Sequence, residues 1–321
     1  MKILSIDPKT YAVPGSIDSS RLGFHAESVL AENLTNIPHG VVIVGLADDT
    51  GVKNVGGRVG AKLGPEEARK KLYRFTTGKF PFPIYDLGDF CAEDSIEKTH
   101  SAYAEGIQAV HASGHLPLVI GGGHDLAYPE ALALLRSQKE KRISFLNIDA
   151  HLDLRPTTNG ITSGSPWYLL LESEEFQVHG KKLVEFGVQR HCNAHSLVDY
   201  AFEKKVELHW FPALAEKKMN LALEKIIRKL ARSSYLQVSL DIDSVSWKDA
   251  PGCSAPQTVG FRPEDVIAFS NLAGKYNAVN SFGIYELSPP LDRDGQTATL
   301  VAHCLHAFLK GFATRKPLRR K

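Results

Sequence analysis

No two cysteines in this chain have the C-x-x-C spacing of a zinc knuckle or a redox couple. The four that occur, Cys91, Cys192, Cys253 and Cys304, are scattered. In a chain of 321 residues this excludes a disulfide framework or a thiolate zinc site as the organising feature. No charge of one sign dominates either. The 38 Lys and Arg stand against 36 Asp and Glu, which speaks against a nucleic-acid surface or an anionic membrane as partner. No apolar run reaches the ~20 residues a membrane span needs. The start, MKILSIDPKTYAV, meets Asp7 and Pro8 too early to form a signal-peptide core. A soluble, cytoplasmic protein is expected. The one local charge excess, RKPLRRK at 315–321, reads as a solvated, frayed tail. Repeats, low-complexity blocks and Pro/Ser-rich linkers are also missing, so residues 1–321 are read as one domain.

What the chain does have is alternation. Runs rich in Val, Ile, Leu and Phe predict strands at 40–47, 83–88, 116–121, 142–149, 182–188, 206–211, 234–243 and 278–287. Between them, apolar residues three and four apart predict helices at 221–232 and 297–312, and Pro65 opens another over 65–75. Strands alternating with helices predict an α/β fold with a mostly parallel sheet of about eight strands, covered on both faces. Such sheets bind ligands outside the carboxyl ends of their strands, so the residues just after each strand carry the functional question.

Nucleotide and acyl-transfer fingerprints are missing there. GVKNVGGRVGAK (51–62) lacks the G-x-x-x-x-G-K-[ST] spacing of a P-loop, no G-x-G-x-x-G opens a helix, and no G-x-S-x-G elbow occurs. The strand ends instead carry acids and imidazoles. His124 follows LPLVI; Asp149, His151 and Asp153 follow ISFLNI; Asp241 and Asp243 follow YLQVSL; Glu286 follows FGIY. In an extended segment, residues two apart share a face.

Singly, each piece has a plainer reading. A strand-end His is more often structural, D-x-D is common in turns, and a glycine run permits a tight turn. Together they gather four aspartates on one edge, where mutual repulsion reaches several kcal/mol at an intermediate dielectric. No Lys or Arg is spaced to match them. Two divalent cations would balance the charge, and carboxylate with imidazole suits Mn-like metals, with zinc, iron or nickel also admitted. A two-ion site lowers the pKa of bound water and makes hydrolysis at neutral pH accessible.

The combination GGGH (121–124), DAHLD (149–153), DID (241–243) and ELSPPLD (286–292) resembles the ureohydrolase family of arginase, agmatinase, guanidinobutyrase and formimidoylglutamase. The resemblance spans Val41 to Phe308. It implies a single three-layer α/β/α domain with eight parallel strands, a homo-oligomer, and a two-manganese centre. In that centre His124, Asp149, Asp153 and Asp241 would serve one or both ions, with His151 and Asp243 completing the set. Arginases and agmatinases carry an HGxP-type segment with a proton-transferring His, where this chain has SGSP with Ser163 in its place. Arg155 directly after DAHLD, the SGSP segment, GVQRHCNAHSLVDYA (187–201) and GVKNVGGRVGAKLGP (51–65) are similar to formimidoylglutamase.

The implied reaction is hydrolysis of N-formimidoyl-L-glutamate to formamide and L-glutamate, a step of histidine degradation. A formimidoyl group is a planar amidinium, which a carboxylate such as Glu286 can hold through two parallel N–H bonds. Asp153, a ligand with a free oxygen, is the candidate proton relay to the leaving nitrogen. The substrate's two carboxylates call for cations: Arg155 and Arg190, with Arg58 behind them. Ser163, Asn193 and His195 are further candidates to line the site. Two alternatives stay open: a guanidine-cleaving relative that releases urea, and a non-catalytic metal-binding relative.

Overall fold

The structure is a computed structural model that describes residues 1–12, 20–138, 141–211 and 219–315. All but the first residue of the basic C-terminal stretch therefore lies outside the described residues. Ten strands form one sheet. They are β1 (Ile3–Leu4), β2 (Ala26–Ser28), β3 (Val41–Ala47), β4 (Ile84–Cys91) and β5 (Leu116–Ile120), then β6 (Ile143–Ile148), β7 (Gly180–Val188), β8 (Glu207–Trp210), β9 (Tyr235–Asp241) and β10 (Val279–Tyr285). The spatial order is β1-β4-β3-β5-β10-β9-β6-β7-β8, with β2 also paired to β4. Eight strands match the predicted runs. The two extra ones, β1 and β2, are only two and three residues long and show no period from which a strand could be read. β1 runs antiparallel to β4; every other pairing is parallel.

Both faces of the sheet are buried, which is why its strands read as continuous apolar runs. In β3, Val41 and Ile43 join one core while Val42, Val44 and Leu46 join the other. The first core is closed by α2 (Gly64–Leu72, after the short α1, Thr50–Asn54) and by three later helices, α8 (Met219–Ala231), α9 (Pro263–Lys275) and α10 (Gln296–Phe312). In α8, Leu223, Ile226, Ile227 and Leu230 form the inward stripe. The second core lies under α3 (Ile96–Ala112), α4 (Ala127–Ser137), α5 (Pro166–Glu172), α6 (Glu174–His179) and α7 (His195–Glu203). Each fully buried Leu or Phe in these layers contributes ~1.5–3 kcal/mol.

Topology places the function. The strands that carry the four motifs, β5, β6, β9 and β10, are consecutive in space, in the order β5-β10-β9-β6. Residues some 160 positions apart in sequence therefore end side by side. Among the described residues, no helix is long and apolar enough to cross a membrane.

Candidate metal centre

Each motif residue arrives by a definite local device. Asp149 follows β6 and Asp241 ends β9, and each uses one carboxylate oxygen to hold the backbone two residues on. His151 N–H donates to Asp149 Oδ1 at 2.7 Å, and Asp243 N–H donates to Asp241 Oδ1 at 2.8 Å. The D-x-H and D-x-D spacings are thus turn-forming and site-forming together, because the second oxygen of each acid faces inward, toward His124 Nδ1. The segment after β6 is bent, not extended as alternation had suggested. Asp153 reaches the cluster through a left-handed backbone at φ 46°, which Asp tolerates better than most residues. Glu286 sits at φ 66°, a conformation that costs a non-glycine residue ~1–3 kcal/mol and is found preferentially at functional sites.

The glycine run before His124 serves close approach. A Cβ at Gly121 would meet the Tyr285 ring at 2.0 Å, and one at Gly122 would meet the Asp48 carbonyl at 1.9 Å. The backbone of β10 then locks against this turn, with Glu286 N–H donating to the Gly122 carbonyl at 2.8 Å. Glu286 Oε1 accepts the His124 N–H at 2.9 Å. Asp292, the last residue of ELSPPLD, caps α10 by accepting from Thr297 and Ala298 N–H.

Two ligand groups result. His124 Nδ1 has carboxylate oxygens of Asp153, Asp241 and Asp149 at 2.7, 3.1 and 3.2 Å. His151 Nδ1 has Asp243 Oδ2 at 3.2 Å and Asp149 Oδ1 at 3.5 Å. The donor atoms of each group lie within 4.8 Å of one another, and Asp149 belongs to both. On the outer side, His124 Nε2 meets Ser239 Oγ at 2.9 Å. That contact leaves Nδ1 as the inward-facing nitrogen. Asn147 Nδ2 donates to Asp149 Oδ2 at 3.3 Å and to the buried Glu185 at 2.9 Å.

Electrostatics show why these groups suit cations. Burial lifts Asp241 well above the ordinary carboxyl range, and Asp243 and Asp149 add to the lift. Burial raises Asp243 to about 7. Glu286 is raised well above its usual value by burial and by Asp241. Burial opposes charge on both imidazoles, yet Asp241 beside His124 and Asp243 beside His151 hold their pKa values well above normal. Among the described residues, the ion pairs of these acids are with the two imidazoles alone. Asp243 Oδ1 and Glu286 Oε2 are buried without a hydrogen-bond partner. A carboxylate-rich, cation-poor pocket with free lone pairs fits two divalent ions.

A pH dependence follows. Between the ordinary carboxyl value near 4 and about 7, the folded chain keeps a proton on Asp243 that the unfolded chain has released. The imidazoles, raised in the fold, act in the same direction: their stabilisation is present below about 6.5 and is lost as pH climbs through their folded values. Asp149 is shifted down despite its burial, through hydrogen bonds with the two imidazoles, and opposes this trend only below about 4. His111 and His306, each lowered by burial to about 4, oppose the trend below about 6.5, but Asp241, Asp243, Glu286 and the two raised imidazoles outnumber them, so metal-stripped protein should melt at a higher temperature at pH 5.5 than at 7.5. Metal-loaded protein should do the reverse, because protons compete with the ions for the ligands. Thermal melts of both forms at the two pH values check the crossing.

A cavity of about 220 Å³ opens on this cluster, lined in part by Gly56, Arg155, Ser163, Ser254 and Glu286. A second chamber of about 180 Å³ adjoins it at His151, Asp153 and Arg155 and reaches Asn193 and Ser196. The Arg155 side chain is exposed and has no hydrogen bond or ion pair among the described residues; it lies across Gly164, where a Cβ would stand 2.7 Å from Arg155 Cδ. The Ser163 N–H ties SGSP to the 51–62 loop through the Gly51 carbonyl, at 3.0 Å.

The other candidates are placed differently. Arg190 lines neither chamber and stacks 4.1 Å over Trp210. Arg58 is engaged by the carbonyls of Cys253 and Ser254. His195 is exposed at the start of α7, outside both linings. Asn193 borders the second chamber, but its amide is committed to the main chain of Ala150, Gln189 and Leu152, so it braces the metal loop. Sequence reasoning passed over Ser239, although it lies two residues before Asp241 on the same strand. Asn147 was legible in the same way, two before Asp149.

The sequence matches the arginase family model over residues 39–310. It is similar to a formimidoylglutamase of Staphylococcus carnosus, with 31% identity over 271 residues, covering 84% of this chain and 86% of that one. A formimidoylglutamase of Aromatoleum aromaticum is 30% identical over 291 residues, covering 87% and 85%. A crystal structure of Trypanosoma cruzi formiminoglutamase with Mn2+ superposes with a TM-score of 0.80 at 31% identity, covering 87% of this chain and 95% of the other. Formimidoylglutamase from Bacillus subtilis shares the fold with a TM-score of 0.85 at 22% identity, over 94% and 95% of the two chains.

Proposed function

This chain belongs to the arginase family, and from that premise we propose that it hydrolyses N-formimidoyl-L-glutamate to formamide and L-glutamate with two manganese ions. The observation that carries the substrate reading is the unpaired Arg155 guanidinium, laid across Gly164 at the mouth of the carboxylate-lined cavity. Formimidoylglutamase relatives and a manganese-containing formiminoglutamase structure support it. When bound, the two ions would supply a water of lowered pKa and offset the charge of four aspartates. His124, Asp149, Asp153 and Asp241 would hold one ion; Asp149, His151 and Asp243 would hold the other.

The chain's own groups do the rest. Glu286, with Oε1 tied to the His124 N–H and Oε2 free, accepts N–H bonds from the amidinium and fixes its plane. Arg155 takes a carboxylate of the glutamate moiety. Water oxygen adds to the amidine carbon, and the bond from that carbon to the glutamate nitrogen breaks. In this reading Asp153 carries the proton that this nitrogen needs as it leaves. Ser163 stands where the HGxP-type His would be and supplies no comparable base.

A second reading has its own support. With Arg190 turned onto Trp210, Arg155 is, among the described residues, the one arginine lining the cavity, and one arginine suits a substrate with one carboxylate, such as 4-guanidinobutyrate. We also infer a homo-oligomer in the cytoplasm without a nucleic-acid partner, as the family resemblance and the near-even charge suggest. Product analysis tests the function. Manganese-loaded protein given formimidoyl-L-glutamate, arginine, agmatine or 4-guanidinobutyrate separately should release formamide from the first and no urea from the others. Urea would move the substrate assignment; no product from any of the four would favour the non-catalytic alternative.

A further inference from the structure

Arg58 is an exposed residue whose guanidinium has no carboxylate partner among the described residues; its bonds go to main-chain oxygens. Nε donates to the Ser254 carbonyl at 3.1 Å, and Nη2 donates to the carbonyls of Cys253 and Ser254 at 2.9 and 3.0 Å. The Arg58 backbone N–H adds a bond to Ser254 Oγ at 2.9 Å. Gly57 leaves room for that contact, since a Cβ there would stand 2.7 Å from Ser254 Oγ. Ser254 is thus held by its hydroxyl and its carbonyl at once. The holding loop is itself fastened: Asn54 Nδ2 donates to the Ile161 carbonyl at 2.8 Å, and the Gly60 N–H donates to Asp49 Oδ2 at 2.6 Å.

Ser254 lines the cavity over the metal cluster, together with Gly57 and Arg155, whereas Arg58 stands outside that lining. A serine hydroxyl has one hydrogen to donate and two lone pairs. Here the Arg58 N–H occupies one lone pair, and the hydrogen donates to no group among the described residues. Arg58 keeps its full charge, because the carbonyls it bonds are neutral. A fixed donor with an unpaired cation beside it favours an anionic group. The other end of the cavity has the opposite character, with Asp241, Asp243 and Glu286 all buried. An amidinium suits that buried end, and a carboxylate suits the end where Arg155 and Ser254 stand.

We propose that Ser254 is a substrate-binding residue that donates its O–H to one carboxylate of the glutamate moiety, with Arg58 as its positioning residue and Arg155 on the other carboxylate. This assignment rests on the formimidoylglutamate reading given above and deepens it, since Arg155 alone leaves one of the two carboxylates without a partner.

The experiment is steady-state formamide release by the manganese-loaded full chain, for wild type, Ser254→Ala, Arg58→Met and the double variant. The substrates are formimidoyl-L-glutamate and two analogues that keep one carboxylate each, N-formimidoyl-4-aminobutyrate and N-formimidoyl-L-2-aminobutyrate. Ser254→Ala should raise KM for formimidoyl-L-glutamate ~10–100-fold, the effect of one hydrogen bond to a charged group, with kcat within about threefold. For the analogue that retains the carboxylate held by Ser254, the same increase should appear; for the other, KM should stay within about twofold. Arg58→Met should raise KM at least as far as Ser254→Ala does. The double variant should go no further than Arg58→Met, because a positioning residue acts through the group it positions. A residue that served only the fold would not discriminate between the analogues. An unchanged KM in Ser254→Ala, an equal loss on both analogues, or increases that multiply in the double variant would each overturn the proposal. Wild-type protein that releases no formamide from formimidoyl-L-glutamate would remove the substrate reading itself, and this assignment with it, so the two failures are told apart.

Discussion

Asp149→Asn should release at least one ion per chain and lower kcat/KM for formimidoyl-L-glutamate by at least ~10³-fold, about 4 kcal/mol of transition-state stabilisation. Asp149 is the residue common to both ligand groups, and it is fully buried. Asparagine preserves its shape and can still accept the His151 N–H through Oδ1, so the turn survives. What disappears is the negative charge and the second oxygen. An NH2 group now faces His124 Nδ1, where the carboxylate oxygen stood at 3.2 Å. Asp153→Asn, which touches one group only, should spare the His151-side ion. Elemental analysis alongside the rate separates the two variants. Stripped of metal, the Asp149→Asn protein should also melt lower than stripped wild type, because the ion pairs of Asp149 with both imidazoles and its bond from Asn147 Nδ2 are lost; rate and metal content are therefore compared at a temperature where both proteins are folded.

Arg155→Met should raise KM for formimidoyl-L-glutamate ~10–100-fold with metal content unchanged, the range expected when a charge-assisted hydrogen-bond pair of ~1.5–3 kcal/mol is removed. The Arg155 side chain is exposed in the free protein and bonded to no other side chain, so its removal leaves no buried partner stranded. The loss should therefore appear in substrate binding and not in stability. Gly164→Ala is a second route to the same position: its Cβ would stand 2.7 Å from Arg155 Cδ and must push the guanidinium aside. Steady-state kinetics and metal analysis on both variants check the assignment. An unchanged KM in Arg155→Met would take this arginine out of the substrate site and strengthen the case for another substrate.

Much of this architecture was legible in the sequence because it is written in strong local periods. Eight strands and three long helices follow from apolar runs and spacings. The candidate metal ligands stand out because acids and imidazoles directly after buried strands are costly without a cation. What could not be read was lateral order. Nothing in LPLVIGGGHD or FGIYEL shows that β5 and β10 are neighbours, yet that adjacency lets Glu286 cap the His124 turn. Arg190 reads as a second candidate after Arg155, because both follow site-proximal strands. Trp210, twenty residues later, captures it through a contact that no spacing rule foretells. Gly164 makes sense only beside Arg155, since its role is to leave room.

The central claim is that turnover of an amidine depends on two ions held by these six residues. It is tested most directly by titrating metal-stripped protein with manganese while measuring formamide release from formimidoyl-L-glutamate. Activity should stay low up to one equivalent per chain, rise steeply toward the second, and saturate at two. Full turnover in stripped protein, or saturation at a single ion, would contradict it.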